Sequence, residues 1–405
     1  MKRNTRPATP RSANRARMPL RPRAWLFVVA IAGIMSGATA HADERPGASA
    51  EVLTSAERGH VFVIGKGQGS KRIEEFHPAA GQKIRLVGFT ALSLDQLRAR
   101  ATTAGPDIVI DLGGGQELTV VGADKDVLGS VQIELDRSGL VPSFADEFDQ
   151  LSLDLEDGAS SPGRWRTNFG YGGPTSVHSR TLVNNGELEV YVDPKFAGTG
   201  STSLNLNPFR TGSGKLDIVA EPLDEKVRSV AWGRSYASGL LTTKASFSQQ
   251  YGVFEIRAKV PRGKGLWPAF WLLPANGAWP PELDVLEILG DNPSKVYMSW
   301  HSNAGGKHSF ETKPIDIPDA SADFHTYSVE WTKDTINWFF DDIEVASAPT
   351  PQDLHQPMYM LINLAVGGGW PGAPNAWTKF PALYSIDWVR AYTRPLPTER
   401  SGASE

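Results

Sequence analysis

The chain has no cysteine among its 405 residues, so no disulfide framework, thiolate nucleophile or thiolate metal site is open to it. It also lacks the uninterrupted apolar run of about 18 residues that a membrane-spanning helix needs. The Ala24–Met35 stretch comes nearest and fades into Ser36-Gly37-Ala38-Thr39. No histidine–acid spacing suggests zinc or a redox metal. No glycine-rich nucleotide loop opens a helix either, since Gly65–Gly69 resembles one only in composition. Tryptophan is missing from one region alone: none of the twelve falls in 43–143, and eleven lie from Trp165 to Trp388.

What is present organises the chain. Residues 1–42 hold eight of the 41 basic side chains and no acid, then the short apolar run, then Ala40-His41-Ala42. That order reads as an export signal with a small-x-small cleavage site, which predicts a secreted protein, periplasmic or extracellular, without stable membrane insertion. The remainder then carries 33 basic and 45 acidic side chains, a net charge of −12. This excludes nucleic acid as the expected partner. About 360 residues without cross-links are ample for a core and suggest two domains.

The tryptophan boundary divides them. Residues 43–143 read as an α+β accessory module. Strands are expected at Val61–Ile64 and Lys83–Val87, and a helix capped by Ser93 with Leu94, Leu97 and Ala101 on its apolar face. A hairpin follows, Asp107–Leu112 and Glu117–Val121, joined through Gly113-Gly114-Gly115. From Phe144 on, strand-like runs recur between turn signals such as Asn184-Asn185-Gly186 and Asp341-Asp342. They include Gly186–Val192, Gly214–Ala220, Ser238–Thr243, Gly252–Val260, Val296–His301, Phe324–Thr332, Thr335–Phe340 and Met358–Val366. Many short strands and few helical patterns predict an all-β sandwich over 144–395, with 396–405 as a flexible tail.

The run Pro-Glu-Leu-Asp-Val-Leu-Glu at 281–287 sets Glu282, Asp284 and Glu287 into an otherwise apolar strand pattern. Glu282 and Asp284 share a face. Glu287 stands at an odd offset from both, and a β-bulge around Val285–Leu286 would return it to that face. Three acids so placed suit cleavage of a glycosidic bond, and equally an acidic strand edge or a calcium site. Just upstream, Trp267, Ala269 and Trp271 share one strand face, and either indole can stack on a sugar ring or fill a core.

Around the acids stand Tyr-Gly-Val-Phe-Glu-Ile-Arg-Ala-Lys-Val (251–260), Gly-Leu-Trp-Pro-Ala-Phe-Trp-Leu-Leu-Pro (265–274), Trp300-His301, Ala365-Val366-Gly367-Gly368-Gly369-Trp370 and Ile386-Asp387-Trp388-Val389-Arg390. The series resembles glycoside hydrolase family 16, the laminarinases, lichenases and agarases, over about 144–393. The resemblance implies a concanavalin A-like β-jelly roll with a substrate cleft across one sheet. It implies Glu282 as nucleophile, Glu287 as acid/base and Asp284 between them as a tuning residue, in the bulged E-x-D-x-x-E form. It places Trp267, Trp271, Trp279, His301, Asn363, Trp370 and Tyr236 near the sugar, with Arg234 either there or in a surface ion pair. No cofactor is implied for catalysis. A structural calcium ion, where the family holds one, would take Glu147, the Gly186 carbonyl and Asp387. The implied activity is endo-acting, retaining hydrolysis of a β-1,3- or β-1,3-1,4-glucan by a monomer. Rival readings are depolymerisation of a succinoglycan-like exopolysaccharide, transglycosylation, and a β-glucan-binding protein without turnover. The 43–143 module faintly resembles modules that flank calcium-binding β-roll repeats.

Overall fold

The computed structural model describes residues 50–89, 92–155, 163–171, 173 and 176–394, so the expected signal (1–42) and tail (396–405) lie outside it. Among the described residues no helix is long and apolar enough to cross a membrane.

The first part winds back and forth between two small sheets. Glu51–Thr54, Lys71–Glu74 and Gln116–Val120 run parallel in one, and Val61–Gly65, Lys83–Val87 and Val131–Ile133 run parallel in the other. Inserted between coils are the helix Leu94–Arg100 and the strands Ala101–Ala104 and Asp107–Gly113. Ile64, Ile73, Ile84, Leu86, Ile110 and Leu118 fill the space between the sheets. The helix forms as expected: Ser93 accepts from the Gln96 N–H while the Gln96 side chain accepts from the Ser93 N–H. It stops at Arg100, so Ala101 is buried as the first residue of a strand and not on the helix.

The second part is a two-layer β-sandwich of jelly-roll class. One layer has eight strands in the order Leu153–Asp154, Trp165–Arg166, Leu240–Thr242, Met358–Val366, Leu266–Pro274, Glu282–Ile288, Lys295–Ser302 and Ser309–Asp316. The other is built around Gly252–Lys259, His325–Trp331 and Ala382–Thr393. Alternation decides what each face does. Phe270 and Leu272 join Leu283, Trp331, Trp338, Ile362 and Tyr384 in the inter-sheet core, whereas Trp267, Ala269 and Trp271 turn to the outer face of the eight-stranded sheet. Asp341 and Asp342 make the expected hairpin turn, both at positive φ. The run expected as one strand over Ser238–Thr243 is two short ones separated by Gly239, where a Cβ would come within 2.8 Å of Ile218 and Phe209.

The described residues form one compact unit. The strand Val141–Asp146 pairs with Ala382–Thr393, so the division drawn before Phe144 falls inside a strand of the sandwich. Leu135 packs on Val253 and Phe339 and its N–H donates to the Asp342 carbonyl. Arg137 bridges the wholly buried Glu255 and Asp342, and the Leu94 N–H, at the start of the helix, donates to Glu344 of the sandwich at 3.0 Å.

Candidate active site

Glu282–Ile288 is held between Leu266–Pro274 and Lys295–Ser302. On one side Glu282 faces His301 and Asp284 faces Ser299, and then the register slips so that Glu287 faces Tyr297. The slip is the expected bulge. Val285 and Leu286 both enter the inter-sheet core, and Glu287 returns to the face of Glu282 and Asp284. The Trp338 indole fixes the distortion from behind, donating to the Asp284 carbonyl at 2.9 Å. All three carboxyls open into a cleft of about 990 Å³.

Each acid has a distinct neighbour. Trp279 Nε1 donates to Glu282 at 2.7 Å and Trp267 Nε1 to Glu287 at 3.1 Å. His301 Nε2 lies 3.8 Å from Glu282 and 3.6 Å from Asp284. Burial penalises the charged forms and drives all three pKa values up. Glu282 rises to about 8, first through desolvation and then through the Asp284 charge, with His301 and the Trp279 hydrogen bond opposing. Asp284 rises to about 7 by desolvation, against a hydrogen bond from Glu282. Glu287 is raised well above the usual range by desolvation and then by both other carboxylates. Three mutually repelling acids in one cleft retain protons that isolated ones would lose.

Trp267, Trp271, Trp279, His301, Asn363 and Trp370 line the cleft. Trp370 meets Trp267 edge-on at 5.3 Å and Tyr297 at 4.8 Å. Tyr236 does not join them. Its strand belongs to the opposite sheet, where its ring stacks on Phe380 at 5.0 Å. Arg234 is no surface ion pair, since it donates to the Glu187 carbonyl.

Sequence reasoning missed Tyr297, Phe310 and Phe169 in the cleft wall. It also missed a buried polar ladder on the strand Glu189–Tyr191. Glu187 and Glu189, both with pKa values raised chiefly by burial, hydrogen-bond each other, and Glu189 accepts from the Val366 N–H at 2.7 Å. Tyr191 accepts from Asn363, whose Oδ1 accepts from Trp271 Nε1 at 2.7 Å. The alternating polar residues at 187, 189 and 191 were the available signal.

The three positions assigned to calcium do not assemble. The Glu147 carboxylate is paired with Arg390 and that of Asp387 with Arg257. Gly186 sits beside Gly369 at the cleft end, next to Asn185 in the cleft wall. The glycine turn nearer Asp387 is Ser213-Gly214, which leads into Leu216–Pro222, the strand paired with Ala382–Thr393. As arranged, the residues do not fit the ion.

A jelly-roll sandwich whose outer sheet face carries a bulged strand of three acids in an aromatic cleft is a glycoside hydrolase architecture. The chain belongs to glycosyl hydrolases family 16, whose model matches residues 215–390. It is 39% identical over 335 residues to endo-1,3-1,4-beta-glycanase EglC of Rhizobium meliloti, covering 82% of this chain and 69% of that one. To endo-1,3-1,4-beta-glycanase ExsH of the same organism it is 41% identical, covering 76% and 64%. Among solved structures, the laminarinase catalytic domain of Thermotoga maritima superposes with a TM-score of 0.50 at 30% identity, covering 64% of this chain and 100% of that one. Enzymes of this family work without a catalytic cofactor.

Proposed function

We propose that the protein is an exported, endo-acting, retaining β-glycanase that hydrolyses internal bonds of a β-1,3- or β-1,3-1,4-glucan as a monomer. The observation that carries this reading is the bulge that returns Glu287 to the face of Glu282 and Asp284, so that all three acids line one open cleft. The activities named for the two Rhizobium meliloti relatives support the glucan. The basic-then-apolar order of residues 1–42 supports export, and residues 43–143 are read as a noncatalytic accessory module.

Glu282 attacks the anomeric carbon, and Glu287, whose proton is favoured by burial and by the two neighbouring carboxylates, gives it to the departing oxygen. Attack requires Glu282 as the anion. The proton it shares with Asp284 then resides on Asp284, while Trp279 and His301 stabilise the Glu282 charge. Water, deprotonated by Glu287, next releases the sugar with its configuration retained. The open cleft with aromatic walls admits an internal stretch of polymer, and the indoles stack on pyranose faces.

The test has two arms. Glu282→Gln should bind but not hydrolyse laminarin or lichenan, because an amide cannot form the glycosyl-enzyme. Glu287→Ala with an activated aryl glycoside and azide should yield a β-glycosyl azide. Near-wild-type hydrolysis by the first variant, or an α-azide from the second, would overturn the roles. Succinoglycan degraded in place of both glucans would overturn the substrate.

A further inference from the structure

We propose that Glu282, Asp284 and His301 also form a binding site for a zinc-type divalent cation, and that the bound ion closes the cleft to polysaccharide. One ligand atom from each lies within 4.8 Å of the others. His301 Nε2 is 3.8 Å from Glu282 Oε1 and 3.6 Å from Asp284 Oδ2. Tetrahedral zinc with ligands at about 2.1 Å holds its donor atoms about 3.4 Å apart, so small side-chain adjustments complete three corners.

Asp284 Oδ2 supplies an independent sign. The residue is 1% exposed, and this oxygen is buried without a hydrogen-bond partner while pointing at His301. A buried, unpartnered carboxylate oxygen carries a desolvation cost that a cation removes. The neighbours leave the other donors free as well. Trp279 occupies Glu282 Oε2 and leaves Oε1 to the ion. His308 Nε2 lies 3.1 Å from His301 Nδ1. A proton on that Nδ1, donated to His308, turns the His301 Nε2 lone pair toward the two carboxylates, the usual support for a metal-bound imidazole. The site lies in the wall of the open cleft, so an ion can enter and the fourth position faces the substrate path.

One imidazole and two carboxylates suit zinc or copper, whereas calcium and magnesium prefer shells of oxygen alone. Binding itself needs only this geometry. Inhibition rests on the reading of Glu282 as nucleophile, since the ion would take up its attacking oxygen.

Calorimetric titration of the full chain with Zn²⁺, Ca²⁺ and Mg²⁺, without substrate, tests the site. One Zn²⁺ per chain is expected and no heat from the other two. His301→Gln should abolish zinc binding, and His308→Ala should weaken it by about tenfold or more. In assays on a soluble glucan, zinc should raise KM and leave kcat unchanged. Undiminished zinc binding in both variants, equal binding of calcium, or a fall in kcat at constant KM would overturn the proposal. A wild-type protein that binds zinc through His301 but cleaves no glucan would overturn the glycanase reading and leave the metal site standing.

Discussion

Among single residues, Asp284 has the most leverage because it acts on both of its neighbours. Its charge raises the pKa of Glu282 and of Glu287. Asp284→Asn removes the group that takes the shared proton, so kcat should fall, while the acidic limb of kcat/KM, set by ionisation of Glu282 beside an already protonated Asp284, should not move down. A pH–rate profile checks this, and an unchanged kcat, or a downward shift of that limb, would exclude the assigned roles. The acids were legible in the sequence because an apolar strand pattern leaves little choice of face, and the odd offset of Glu287 demanded the bulge that is found. Trp267 and Trp271 were legible through the same two-residue period. Tyr236 was not, because which sheet a short strand joins depends on long-range pairing. Gly186 was misplaced for a related reason. Asn185-Gly186-Glu187-Leu188 and Ser213-Gly214-Lys215-Leu216 are alike as turn-then-strand signals, and only pairing with Ala382–Thr393 separates them. The ladder of Glu187, Glu189 and Tyr191 escaped notice because acids read as solvent-facing until their partners are known.

At the scale of elements, the helix Leu94–Arg100 meets the sandwich through Glu344. One of its oxygens accepts the Leu94 N–H, and the other is buried without a partner. Burial raises its pKa to about 8 from 4.5. The folded state therefore holds this proton more tightly than the unfolded chain does. The stability it contributes is complete below about pH 4.5 and is lost as pH climbs through about 8. Glu344→Gln keeps the acceptor and cannot ionise. Its melting temperature should match wild type near pH 5 and exceed it at pH 9, by on the order of 2 kcal/mol in unfolding free energy. Equal melting at both pH values would show that Glu344 stays charged. The same pattern shows how far element prediction reached. Thr335–Phe340 and Met358–Val366 were placed to the residue, since each is a dense apolar run bounded by turns. The parallel coils before Leu135 were not foreseen, because strands that alternate between two sheets look locally like any other strands.

For the whole molecule, the contact between the coiled part and the sandwich should govern stability and not chemistry. Glu255 is fully buried and relies on Arg137, with Ser328 at 3.3 Å as a weaker partner. Arg137→Ala strands that carboxylate and should cost about 2 kcal/mol, below the roughly 3–5 kcal/mol of a fully buried pair because the arginine itself is partly exposed. Deleting 43–135 should lower the melting temperature further by uncovering Val253 and Phe339. Cleavage of short oligosaccharides should survive both changes, since every residue of the cleft lies beyond Thr167. Loss of that activity in a folded Arg137→Ala variant would mean that the coiled part shapes the cleft.

The bulge has a genetic reading as well. Removing the single codon for Val285 would leave Glu-Leu-Asp-Leu-Glu, a register in which all three acids still alternate with core residues. No downstream side chain would be inverted, because Val285 and Leu286 both point into the core today. An in-frame deletion at this one position should therefore give a folded protein with its acids still in the cleft. Circular dichroism and turnover of a soluble glucan would show a native sandwich whose rate has dropped, because Glu287 now sits one residue closer to Glu282. Insertion and loss of one codon would then be a route by which such a site adjusts the reach between its acids without rebuilding the sheet that holds them.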